Sequence, residues 1–197
     1  RRWRDDITGK RGENVFSAIA ESGIVNKLTN GEYETIIFSR VGWHLAKYDT
    51  ESRRMKADKN AFCYAFSLSD IEHDKSTSYP NVYNICFDEF LTRRYYLPDE
   101  FVIFMNVLST IIRDRENIKI FMLGNTVNKF CPYFDEMGLT NVETMEQGTI
   151  DVYSFGDSLK IAVEYCSETK GVKKSNKYFA FDNPRLNMIT RGSWELA

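Results

Sequence analysis

The sequence predicts an α/β fold built on a mostly parallel central sheet, with an antiparallel strand meander in the same chain. Three observations lead there. Residues 82–90, Val-Tyr-Asn-Ile-Cys-Phe-Asp88-Glu89-Phe90, form an apolar run that stops on two adjacent carboxylates. That is the pattern of a buried parallel strand whose C-terminal tip carries charge into a crevice. Residues 98–117 read as a long helix, and residues 118–123 as a second buried strand ending at Gly124-Asn125-Thr126. Strand, helix and strand with short joints make a βαβ unit.

The elements follow in order. Val15, Ile19, Ile24 and Leu28 stand roughly at helical spacing, which predicts one surface helix over 13–28, weakened by Gly23. Residues 33–40, 43–48 and 61–67 have strand character, and turn-prone or charged residues separate them as in a meander. Residues 69–76 read as a helical turn or a loop. Pro98-Asp99-Glu100 opens the long helix, since proline is tolerated in a first turn and acids suit the positive end of the dipole. Apolar residues at 101, 104, 105, 108, 111 and 112 share one face. Val102, Ile103 and Val107 broaden it, which predicts burial on more than one side. Residues 149–155 and 159–166 are candidates to pair with each other. The basic, polar stretch 169–177 suits a linker, so the organisation expected is a core over 1–166 and a trailing segment over 167–197.

Composition sets limits. A chain of 197 residues suffices for one sizeable α/β domain, and 14 Phe, 11 Tyr and 3 Trp can fill its core. The formal charge of −2 gives no global attraction to nucleic acid, so contact with it would need local basic patches or assembly into a ring. Candidate patches are Arg1 to Arg4 with Lys10-Arg11, and Lys170 to Lys177. Cys63, Cys86, Cys131 and Cys166 are widely spaced, with no C-x-x-C pair and only His44 and His73 beside them. That argues against zinc or a disulfide framework and predicts reduced, buried thiols. No apolar stretch approaches membrane-spanning length and no signal-peptide pattern is present, so a soluble chain is expected. Both ends read as cuts through a longer polypeptide, because Arg1-Arg2-Trp3-Arg4 lacks an initiator Met and residues 192–197 close no element.

Two neighbouring parallel strands ending in polar residues would bring Asp88, Glu89 and Asn125 to one edge of the sheet. In nucleotide hydrolases of this design the first carboxylate holds the water shell of Mg²⁺, and the second orients the attacking water. A carboxamide beside them can donate to a phosphate oxygen while accepting from another group. Each residue also has a plainer reading. Asp-Glu after a strand is a polar turn, and Gly-Asn is ordinary turn chemistry. Arg113 and Arg115 could stabilise charge on a neighbouring subunit's nucleotide, or simply complement the helix dipole. Lys75, within His73-Asp74-Lys75-Ser76-Thr77, is a phosphate contact or a solvated loop lysine. Gly9-Lys10 is the only Gly-Lys pair and is not a phosphate loop of the G-x-x-x-x-G-K-[ST] type.

The stretch Tyr79-Pro80-Asn81-Val82 through Phe87-Asp88-Glu89-Phe90 resembles the Walker B region of the DNA-encapsidation (genome-packaging) ATPases of small Picovirinae-like tailed phages. The resemblance continues through Arg113-Asp114-Arg115-Glu116, the Asn125 strand tip and Pro132-Tyr133-Phe134. It begins upstream at Arg1-Arg2-Trp3. It implies a RecA-like (ASCE) P-loop-type ATPase core without its N-terminal P-loop segment. It further implies a terminase-like motor that couples ATP hydrolysis to translocation of double-stranded DNA. The motor would be a homo-oligomeric ring docked on the portal of a procapsid, in the host cytoplasm and with no membrane. By that likeness Asp88 serves Mg²⁺, Glu89 the water, and Asn125 the coupling of hydrolysis to motion. Arg113 (an arginine finger) and Lys75 act across the subunit interface, and Arg1 and Arg2 lie beside the ATP. Without a Walker A loop, the chain is expected to hydrolyse ATP poorly by itself. The alternatives are a non-catalytic interaction domain on the same scaffold, or a helicase-like ATPase.

Overall fold

The computed structural model describes residues 1–39, 42–70, 79–93, 95–125, 127–128 and 130–167. They divide into two compact units, residues 1–82 with 103–117, and residues 83–102 with 118 onward.

The first unit opens with a 3-10 turn at Arg4–Asp6 and three short helices, α1 (Gly9–Asn14), α2 (Ser17–Glu21) and α3 (Ile24–Leu28). The single helix expected over 13–28 is therefore broken. Gly23 takes φ +73°, a left-handed conformation that no helix continues through, and the Ile24 N–H turns to the Ser22 hydroxyl at 3.3 Å. Four antiparallel strands follow: β1 (Thr35–Ser39), β2 (Gly42–Asp49), β3 (Arg54–Ala57) and β4 (Cys63–Tyr64). β2 is central and pairs with each of the other three. The meander is as expected, except that β3 lies in a stretch read as charged turn. All four of its residues are exposed, so it carries no apolar alternation to read. The run expected over 61–67 contributes only the two residues of β4.

Trp43 anchors the core of this unit with Ile7 and Ala65, and Phe16, Ile36, Phe38 and Cys63 pack around them. Its ring meets Phe16 at 5.2 Å and Phe38 at 5.1 Å, while its indole N–H donates to the Gly12 carbonyl at 2.8 Å. A Cβ on Gly12 would fall 2.6 Å from the Phe38 ring, so only glycine lets α1 approach this closely.

Helix α4 (Glu100–Ile112) begins in the second unit and ends in the first. Phe104, Val107, Leu108 and Ile111 are buried, at i, i+3, i+4 and i+7, whereas Val102 and Met105 are exposed. The broad burial expected of this helix is thus a single stripe.

The second unit holds the parallel pair β5 (Asn84–Asp88) and β6 (Lys119–Leu123), joined through α4. It also holds α5 (Pro132–Glu136), a 3-10 turn at Val142–Thr144 and the antiparallel hairpin β7 (Ile150–Phe155) and β8 (Leu159–Glu164). Among the described residues the mostly parallel sheet reduces to this one pair. Parallel neighbours need a long crossover, which the segment containing α4 supplies for β5 and β6, whereas the short turns of β1–β2–β3 and of β7–β8 make those pairs antiparallel. The two apolar runs predict buried strands, yet within β5 and β6 only Phe87 is buried, and Phe121 and Leu123 are 48% and 52% exposed. Two strands cover little of each other.

The cysteines are free thiols, but only Cys131 is buried, and Cys86 and Cys166 are exposed. Among the described residues no helix is long and apolar enough to cross a membrane. Lys75, residues 71–76 of the expected turn, and the basic stretch 169–177 lie outside the described residues. So does all but the first position of the trailing segment expected over 167–197.

Candidate functional site at the end of the parallel pair

The register of β5 and β6 sets the site. Asp88 pairs with Leu123, the last residue of β6, so Glu89 and Gly124-Asn125 leave the sheet at the same end. Asp88 is half-buried, while Glu89 and Asn125 are exposed.

The pairing ends at Asp88 and the chain turns at Glu89: the Phe90 N–H donates to the Leu123 carbonyl at 3.1 Å, one residue further along than a continuing parallel ladder would place that bond. Glu89 takes φ +60°, a left-handed conformation that costs an L-residue roughly 1–2 kcal/mol. The side chains record the same offset. Phe87 and Phe90, three apart, would face opposite sides of a regular strand. Instead both rings meet Tyr133 edge-on, at 5.7 and 6.0 Å. On the neighbouring strand, a Cβ on Gly124 would come within 2.9 Å of Leu91, so glycine lets the chain leave β6 past that side chain. Beyond it the Val127 N–H bonds the Asn125 carbonyl at 2.8 Å.

Tyr133 is fully buried and Cys131 nearly so, and α5 carries Pro132 in its first turn. The Tyr133 hydroxyl donates to Glu100 Oε1 at 2.8 Å, and Glu100 Oε2 accepts the Leu97 N–H at 2.8 Å. Glu100 is only 3% exposed. Tyr96 donates its hydroxyl to the Cys131 Sγ at 3.4 Å, and burial pushes that thiol's pKa up. Sequence reading took Glu100 for a dipole partner and missed this network. The available signal was its position three residues after Leu97, as in a capping box.

The remaining candidates lie in the first unit. Arg115 is committed to backbone: its guanidinium donates to Val82 at 2.6 Å and Pro80 at 3.0 Å, and to the last carbonyls of α4, Ile111 and Ile112. Arg113 is exposed and takes φ +50°, and its N–H closes the helix on Ser109 at 3.0 Å. Arg2 is 6% exposed, and the carbonyls of Arg1 and Arg2 accept the N–H groups of Leu68 and Ser69 at 3.1 and 3.0 Å. In the candidate basic patch Arg4 pairs with Asp70, and Arg11 with Asp6 at 3.2 Å, so acids offset part of its charge.

The donor set at the strand tips suits Mg²⁺ in one particular way. Among the described residues no group of three or more His, Cys, Asp or Glu forms a metal cage. Mg²⁺ is commonly held through one or two carboxylates plus phosphate oxygens, with several waters retained. Asp88 with Glu89 matches that requirement; a closed structural metal site would not fit.

Similarity to known proteins is consistent across three comparisons. The aligned stretch is 36% identical over 87 residues to the DNA packaging protein of Bacillus phage phi29, covering 43% of this chain and 26% of that protein. It is 34% identical over 96 residues to the corresponding protein of Bacillus phage B103, covering 47% and 30%. The match therefore spans less than a third of the length of these relatives. The fold resembles the crystal structure of the N-terminal domain of the DNA packaging ATPase from bacteriophage phi29. The TM-score is 0.59 at 24% identity, over 89% of this chain and 75% of that one. Residues 38–172 match the family described as Podovirus DNA encapsidation protein (Gp16), and the chain belongs to that family.

Proposed function

We propose that this chain contributes the ATP-hydrolysing, RecA-like core of a phage DNA-packaging motor. The supporting observation is the common exit of Asp88, Glu89 and Asn125 from one end of a parallel strand pair, in a chain of the encapsidation family. Asp88 would hold Mg²⁺, and Glu89 would orient the attacking water. The bound ion would neutralise charge on the transferring phosphoryl group. Asn125 reads whether the γ-phosphate is present. Arg113, exposed at the end of α4, acts on the nucleotide of a neighbouring subunit, with Lys75 as a second contact; Arg115 serves structure. These 197 residues carry no G-x-x-x-x-G-K-[ST] loop. The ring would dock on the portal of a procapsid in the host cytoplasm. It would grip double-stranded DNA through phosphates, so binding should weaken with salt.

The test is Glu89→Gln in the protein as encoded. ATP binding should persist and turnover should stop; normal turnover removes Glu89 from its role. A non-catalytic scaffold is the second reading, favoured by the lack of a G-x-x-x-x-G-K-[ST] loop in these residues. Absence of ATP binding in the protein as encoded would select it.

A further inference from the structure

The geometry points to Tyr133 as a positioning residue: with Glu100 it holds position 89 in the left-handed conformation with which the chain turns away from the end of β5. The inference rests on the reading of Glu89 as the water-orienting carboxylate.

The two acids are bracketed by aromatic rings, Phe87 before them and Phe90 after, and one phenol ring receives both. Regular strand geometry at position 89 would restore the alternation and swing Phe90 to the opposite face. It would lose its seat on Tyr133 and its N–H bond to Leu123 together. The seat of Phe90 and the backbone of Glu89 are thus one conformational choice. Tyr133 must then hold its ring firmly, and it is fixed from two directions. Its backbone lies in the first turn of α5, and its hydroxyl is bound to Glu100, whose other oxygen is taken by the Leu97 N–H. Removing either group takes away a buried, charge-assisted hydrogen bond, so the pair resists rearrangement. Tyr96 and Phe101 close the ring's surroundings at 6.3 and 6.0 Å.

Amide hydrogen exchange on the protein as encoded tests this without nucleotide. In Tyr133→Phe the Phe90 amide should exchange roughly five- to thirtyfold faster, the factor that left-handed strain at one residue represents. Amides of the β7–β8 hairpin, in the same unit, should keep their rates. Glu100→Gln should act in the same direction and serves if Tyr133→Phe does not fold. Adding Glu89→Gly to either variant should restore protection at Phe90, because glycine adopts a positive φ without strain. Uniform acceleration across the unit, or further acceleration on adding Glu89→Gly, would overturn the inference. In turnover assays Tyr133→Phe should lower kcat with KM for ATP unchanged; a rise in KM at constant kcat would count against it. Full turnover by Glu89→Gln would defeat the functional reading, while the exchange data would still judge the role of Tyr133.

Discussion

Phe90 donates its amide to the carbonyl of Leu123 at 3.1 Å, one residue out of step with the pairing of Asp88. That offset decides how the chain leaves the sheet after its two acids. On the opposite strand, departure depends on Gly124, where a Cβ would meet the Leu91 side chain at 2.9 and 3.1 Å. Leu91 is buried and gives way poorly. Gly124→Ala is therefore expected to cost about 1–3 kcal/mol in stability, the usual range for overpacking. It should also shift the amide resonance of Asn125 in NMR spectra. An unchanged denaturation midpoint would mean that Leu91 moves aside freely.

The two arginines that close α4 should separate cleanly. Arg115 binds carbonyls of two different chain segments, so Arg115→Ala leaves several acceptors without their charged donor. A loss of about 1.5–3 kcal/mol is expected, measured as a lowered denaturant midpoint. Arg113 has an exposed side chain, and Arg113→Ala should change the stability by less than about 0.5 kcal/mol. If Arg113 acts in trans, rings mixed with subunits that keep the arginine but cannot bind nucleotide should recover hydrolysis. Failure of that rescue would assign Arg113 to its own subunit.

A pH signature is expected from the first unit. The Tyr33 hydroxyl donates to Asp58, which raises the phenol pKa from 10.0 to about 12; the carboxylate's own pKa is lowered, chiefly by that same bond. For Tyr33 the folded value lies above the unfolded one. Its contribution is complete below pH 10 and fades as pH rises toward about 12. For Asp58 the folded value lies below the ordinary one, so its contribution holds above the unfolded pKa and is lost as pH falls through the folded value. Melting temperature should therefore decline above pH 10, and the slope there should flatten in Tyr33→Phe. An identical alkaline slope in the variant would show that the pair carries no linkage.

The sequence revealed the βαβ segment because its signals are local. An apolar run, a proline-acid helix start and a second apolar run each sit within a single element, and their order forces the parallel pairing seen between β5 and β6. The β7–β8 hairpin was visible for the same reason. β3 escaped notice because an exposed strand has no hydrophobic face, and its pairing with β2 is made by backbone atoms that every residue carries. The roles of Arg113 and Arg115 were interchangeable on paper, since what distinguishes them is the loop at Pro80 and Val82, some thirty residues away in the chain.

Identity, then, was carried by short stretches of residues: Asp88-Glu89 after an apolar run, Asn125 after another, and the motif around Tyr79-Pro80. Those residues alone determined that two acids and an amide would leave adjacent parallel strands together. The tertiary structure decided how the acids are held, through the offset turn at Glu89, the shared seat of Phe87 and Phe90 on Tyr133, and the buried Glu100 beneath it. The reason is physical. A turn offset by one residue at Glu89 draws its energy from contacts between segments more than thirty positions apart, which no local pattern of side chains encodes.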